Sequence, residues 1–421
     1  MKLHHLLRTL GPGILFASTA IGVSHLVQST RAGADYGFAL LWAVVAANVL
    51  KFPFFEFGSR YASATGESLI DGYKRIGKGM LWLYLAVTIC SMFFVAAAVS
   101  AVGAGFFDHL FGLSDLWKGF PLYPVALLIV LCLFILIWGQ YKMLDKTIKI
   151  VGTIMVVTTL LAFVLVLKNG RVEPMADFQA PAVWNSAGIA FLIALMGWMP
   201  TAVDLSTWNS LWTLERIKSS GFKPSLRATL FEFHIGYWLS AILAVCFLTL
   251  GAYLVYGTGK EMPEASAAFS KRVVELYTAA MGGWSYYLIA TAAFSIMFGT
   301  VIGVLDGYAR ALERTLWLLA DSPELQNRMH KGRRVYVFGL LTIALGAFGV
   351  IAYFGNQLKA LVDVATTLSF LIAPLVAVVN LWLVTRPGFP EEARPGLAMR
   401  LLSYAGIAFL TGFSLFYLWN L

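Results

Sequence analysis

Ser18-Thr19-Ala20-Ile21-Gly22-Val23-Ser24-His25-Leu26-Val27-Gln28-Ser29-Thr30 is the stretch on which the reading of this chain turns. It belongs to an apolar run that starts at Gly11, yet its centre holds small and polar residues, a glycine and a histidine. A second stretch behaves alike: Met196-Gly197-Trp198-Met199-Pro200-Thr201-Ala202-Val203-Asp204-Leu205-Ser206-Thr207-Trp208-Asn209. There Pro200 supplies no N–H and clashes with the preceding turn. Both are expected to be membrane helices interrupted midway, where unwound backbone offers carbonyls and amides that lipid does not tolerate elsewhere.

Composition places these helices in a bilayer. Of the 421 residues 59% are hydrophobic and 13% charged, against about 25% charged in an ordinary soluble domain. With about 20 apolar residues per crossing, spans fall near 11-30, 36-57, 79-107, 121-140, 146-167, 183-210, 231-256, 284-312, 335-354, 357-384 and 399-419. The expectation is an all-α polytopic membrane protein with eleven spans in one transmembrane domain, 1-421. With the N-terminus cytoplasmic, twenty Lys and Arg fall on the inner side. Arg31, Lys118, Lys168, Arg171, Lys260, Lys271 and Arg272 fall outside. That asymmetry predicts an N-terminus in the cytoplasm and a C-terminus outside. The net charge of +9 is then mostly topology, and nucleic acid is not an expected partner.

No organelle signal is visible, and Gly11-Pro12-Gly13 interrupts what would be a signal-peptide core, so a multi-pass cell-membrane protein is expected. Cys90, Cys132 and Cys246 lie in apolar runs without pairing or CxxC spacing. No H-E-x-x-H or nucleophile-and-base motif at membrane depth supports an enzyme, and no cofactor is implied. A filter sequence or charge ring for a channel is equally missing. A carrier of a small solute fits, with a receptor or scaffold as the alternative.

The two interrupted spans are five apart. An odd offset means that related halves, 11-167 and 183-384, are inverted relative to each other, the architecture of alternating access, with 399-419 an added helix. Helical spacing puts Ser18, Gly22, His25 and Ser29 on one stripe and Thr201, Asp204, Leu205 and Trp208 on another. With Ser24, Gln28 and Met199 these stripes supply the candidate substrate-binding set: Gly22, Ser24, His25, Gln28, Met199, Thr201, Asp204 and Trp208. An ionised Asp204 at this depth costs a few kcal/mol unless paired or hydrated, which marks it for substrate or coupling, with capping of the second half-helix as the alternative. His25 suits proton titration, metal ligation or a hydrogen bond to substrate, or a structural role. The Met199 thioether suits a soft metal or gap filling. Asp363, near Thr366 and Thr367, is a further coupling or gating candidate. Asp306 and Arg310, four apart, are expected to pair. Glu56, Glu232 and His234 are expected near hydrated interfaces.

Gly11-Pro12-Gly13-Ile14-Leu15, Ala32-Gly33, Tyr36-Gly37-Phe38-Ala39-Leu40-Leu41-Trp42 and Ala64-Thr65-Gly66, with Met199-Pro200, resemble the natural resistance-associated macrophage protein (NRAMP) family. The resemblance implies a leucine-transporter fold with inverted five-helix repeats and eleven or twelve spans. It also implies proton-coupled import of divalent metals such as manganese and iron, with H+ as coupling ion. The chain departs from the family at its metal site. Asp-Pro-Gly-Asn is replaced by Gly22-Val23-Ser24-His25, and Met-Pro-His becomes Met199-Pro200-Thr201. No Asp or Glu lies between Met80 and Phe107, where the family carries proton-transfer acids, while Arg333 and Arg334 match its basic pair. Met199, His25 and Asp204 are the remaining metal-ligand candidates. Because a dehydrated dication needs anionic ligands, a cation cargo requires either that Asp204 move in as a ligand or that the ion keep its water, as in family members that carry hydrated magnesium. The alternative is an organic amine or amino acid, held by a half-helix N-terminus or by Asp204 with Trp198 and Trp208.

Overall fold

The computed structural model describes residues 12–138, 141–260, 262–320, 334–355 and 357–420; Gly11 and Arg333 lie outside the described residues. The first span comprises α1a (Pro12–Ala20), a π-helical turn (Ser24–Ser29) and α1b (Thr30–Tyr36). It is followed by α2 (Leu41–Thr65), α3 (Lys78–Phe111), α4 (Tyr123–Trp138) and α5 (Tyr141–Asn169). The sixth span is split into α6a (Ser186–Gly197) and α6b (Leu205–Ser220). Then come α7 (Leu226–Leu254), α8 (Tyr286–Leu319), α9 (Arg334–Phe354), α10 (Leu358–Thr385) and α11 (Leu397–Trp419). Eight helices are long and apolar enough to cross a membrane. With the shorter α4 and the two split spans, the described residues hold the eleven expected crossings.

Both interruptions have local causes. After Ala20 the α pattern lapses: the Gly22 amide donates to the Ala20 carbonyl (2.9 Å), and regular bonding resumes with Leu26 to Gly22 (2.9 Å). The Ser24 hydroxyl also donates to the Ala20 carbonyl, at 2.6 Å, satisfying a group that the helix end would leave orphaned. Gly22 is required by space, since a Cβ there would sit 2.8 Å from the Thr300 side chain of α8. In the sixth span, α6a stops at Gly197 and α6b starts at Leu205, with Pro200 in the gap.

The broken spans lie inside the bundle, against α2, α7, α8 and α10, and α3 reaches α6b through the paired hydroxyls of Tyr84 and Thr207. On the outer helices, apolar side chains such as Trp138, Leu345 and Leu415 are exposed, as a lipid-facing surface requires. The first span is seamed to α7 by glycines: a Cβ on Gly236 would lie 2.2 Å from the Gly13 carbonyl, and one on Gly33 would lie 1.9 Å from that of Leu248. Small residues let the two backbones touch where lipid offers no hydrophobic drive for association.

Arg31, counted among the outer-side charges, is 6% exposed. The structure corrects the expectation for two carboxylates. Glu56 and Glu232 are buried rather than hydrated: Glu56 pairs with Arg60 at 2.6 Å, and a Glu232 carboxylate oxygen accepts from the Gly13 amide at 2.8 Å. Hydropathy also gives no sign of two helices between spans, Leu69–Ile76 and Ser266–Met281. Asp306 and Arg310 pair as expected, at 2.7 Å, and the Tyr336 hydroxyl and Trp212 indole also donate to Asp306.

Candidate functional site

The breaks of the first and sixth spans face a small cavity closed by α3 and α8. Thr19, Ala20, Val23 and Ser24 line it from the first break, and Trp198, Thr201, Ala202 and Leu205 from the sixth. Val95 and Val99 of α3 and Thr300 and Val304 of α8 complete the wall. Its polar side chains are thus four hydroxyls and one indole. The Thr300 hydroxyl has the carbonyls of Ser18 (3.1 Å) and Ile296 (2.9 Å) within reach of its single proton. The Trp198 indole N–H is held by the Ser369 hydroxyl of α10 at 2.9 Å. No carboxylate, imidazole or thiol lines this cavity, and among the described residues no three His, Cys, Asp or Glu side chains converge as a metal cluster. Four neutral hydroxyls among seven apolar side chains do not replace the water of a bare dication.

Of the sequence-selected residues, Ser24 and Thr201 reach this cavity and Gly22 forms the break beside it. The stripe of Ser18, Gly22, His25 and Ser29 does not form, because the chain unwinds after Ala20 and continues as a π-helix. His25 instead faces α7. Its Nε2 lies 2.9 Å from the Ser240 carbonyl, its Nδ1 2.7 Å from the Ser24 hydroxyl, and its ring meets Phe247 edge-on. With both nitrogens engaged and full burial, His25 is a strut between helices rather than an open ligand position. Met199 is buried next to Ser29, whose hydroxyl lies 3.8 Å from the thioether sulfur. Trp208 packs against Tyr308 of α8, ring centroids 4.5 Å apart, and does not line the cavity.

Asp204 begins α6b and is 6% exposed, yet its side chain makes no capping bond to that helix. Its carboxylate instead lies within electrostatic range of Lys51 and of the tyrosines 73, 84 and 308. Lys51 was not selected from the sequence, although a lysine in mid-span is itself a signal.

Gln28 and Asp363 meet at one end of the first span. Arg31 grips Asp363 with two parallel bonds, NH1 to Oδ1 at 2.7 Å and NH2 to Oδ2 at 3.0 Å. Gln28 accepts from Arg31 (3.0 Å) and donates to Asp363 (2.9 Å). The guanidinium stacks 4.8 Å above the Phe191 ring of α6a. One clasp therefore ties α1b, α6a and α10 together.

These features define a class: a secondary-active membrane transporter of the leucine-transporter fold, built around two facing broken helices. Solved structures agree on the fold. The Eremococcus coleocola manganese transporter is similar with a TM-score of 0.67 at 15% identity, over 98% of this chain and 86% of that one. MhsT in complex with L-phenylalanine is similar at 0.57 and 12% identity, over 97% and 98%. By sequence, an uncharacterized protein of Pasteurella multocida (strain Pm70) is 32% identical over 419 residues, 99% of this chain and 93% of its own length. A divalent metal cation transporter, MntH, of Listeria monocytogenes is 20% identical over 87% of this chain and 80% of its own. The family profile described as natural resistance-associated macrophage protein-like matches residues 13–420, and the chain belongs to that family.

Proposed function

We propose that this protein carries a divalent cation across the cell membrane by alternating access, with the cation held between the breaks of the first and sixth spans. The observation that carries this reading is the cavity at those facing breaks, in a chain of this family. Thr19, Ser24, Thr201 and Thr300 offer neutral oxygens to a cation that keeps much of its water, magnesium before manganese. Asp204 supplies the compensating charge from the sixth break, and Asp204 and Asp363 are the groups open to proton coupling. His25 is committed to α7. The repeats run over 11-167 and 183-384, with 399-419 added, the N-terminus inside and the C-terminus outside.

The test is uptake into proteoliposomes of magnesium, manganese and a panel of amines and amino acids, with and without a pH gradient. Divalent uptake is expected. Flux of an organic solute with no metal flux overturns the cation reading while leaving a carrier.

The Arg31–Asp363 clasp is read as the outer gate. Arg31 is buried and Asp363 one-third exposed, so opening this two-bonded clasp costs at least about 1 kcal/mol. Asp363→Asn is therefore expected to raise labelling of a cysteine at position 201 (Thr201→Cys, Cys90→Ser background) by at least roughly fivefold with an impermeant thiol reagent. Unchanged labelling makes the clasp structural only.

A further inference from the structure

Lys51 sits in the middle of α2 with 0% of its surface exposed. An ammonium brings three N–H donors, and here all three are used on backbone carbonyls: Met196 at 3.0 Å, Gly197 at 3.0 Å and Thr201 at 2.9 Å. The first two belong to the last turn of α6a, at the negative end of its dipole; the Met196 carbonyl also accepts from the Trp198 amide and, at 3.4 Å, from that of Met199. The third belongs to the unwound segment. The Asp204 carboxylate, at the start of α6b, is within electrostatic range.

Three carbonyl oxygens at the end of a half-helix, with a carboxylate nearby, are the donor set with which a carrier of this architecture binds a small hard cation. Here that place is filled by a charge covalently tied to α2. We propose that Lys51 is a tethered cation occupying an ion site at the break of the sixth span, so that the carrier works without a free monovalent cation there. The same three bonds hold α6a to α2 and keep the carbonyls of the break from closing back into a helix. The transport part of this inference rests on the carrier reading above; its stability part does not.

The experiment follows the thermal stability of the full chain in detergent, in chloride salts of sodium, potassium, ammonium, methylammonium and N-methylglucamine at constant ionic strength. Wild type is expected to melt at one temperature in all five. Lys51→Ala opens the space of the side chain and is expected to melt several degrees lower, then to recover saturably with methylammonium or another small cation, as a ligand bound only by the folded state requires. N-methylglucamine, too large for the site, restores nothing. A Lys51→Ala protein that melts like wild type, or whose loss is the same in every salt, overturns the proposal. Lys51→Gln covers failure of the alanine variant to fold, since it keeps N–H donors but no charge. It is expected to lose uptake by at least about tenfold, the size of effect that uncompensated buried charge produces. Wild-type uptake by Lys51→Gln shows that the charge is immaterial and ends the idea. Absence of divalent uptake by wild type, by contrast, removes the cargo reading without touching the salt-dependent melting.

Discussion

Replacing Asp204 with asparagine is expected to lower divalent uptake by at least about tenfold, the effect of losing one interaction with a charged group, about 1.5 kcal/mol or more. The carboxylate sits where the sixth span unwinds, buried, uncapped and within range of Lys51. Asparagine keeps its shape and removes its charge. Lys51 retains its three carbonyl acceptors in the variant, so the fold has what it needs at this point. The expected signature is therefore split: uptake lost, while the size-exclusion profile and yield in detergent stay near wild type. Asp204→Glu, which restores the charge, should recover part of the flux. Wild-type uptake by Asp204→Asn would remove the residue from the transport cycle, and equal loss of fold and uptake would make it a structural residue.

Gly197→Val is expected to reduce the amount of folded protein severely. A Cβ at this position would lie 2.0 Å from the Thr366 carbonyl oxygen and 2.7 Å from its carbon. Those are backbone atoms of α10, so relief requires moving a helix rather than turning a side chain. Overpacking a tight core typically costs about 1–3 kcal/mol, and here the displaced segment also carries a Lys51 acceptor. Gly412→Val on α11 is the control, since a Cβ there meets nothing within 4 Å. Fluorescence-detected size-exclusion chromatography of the two variants reads the comparison. Equal folded yields would mean that α6a and α10 separate easily, against the close contact described.

Helix breaks were legible in the sequence because glycine, proline and polar side chains in apolar runs are local chemistry. Gly22 and Pro200 announce a fault whatever surrounds them. Side-chain direction was not legible. Spacing along an ideal helix sends His25 to the same face as Ser18, whereas the unwound residues and the π-turn break that register and send the ring to Ser240 of α7. Thr19 and Thr300 were passed over because a lone hydroxyl in a span ordinarily bonds its own helix. Thr300 does bond the Ile296 carbonyl, and only its second contact, to Ser18, ties it to the first span. Arg31 and Asp363, 332 residues apart in the chain, have no local signal that they meet.

By itself, then, the sequence determined the solvent, the number of crossings, the two places where helix fails and the family motifs, all properties carried by composition and by contiguous residues. The tertiary structure alone decided which groups converge: the hydroxyl-lined cavity, the clasp of Arg31 on Asp363 and the seating of Lys51 on the carbonyls of the sixth break. The reason is physical. A buried charge or an orphaned carbonyl must find a partner, but which partner it finds depends on how distant helices pack, and no single span records that.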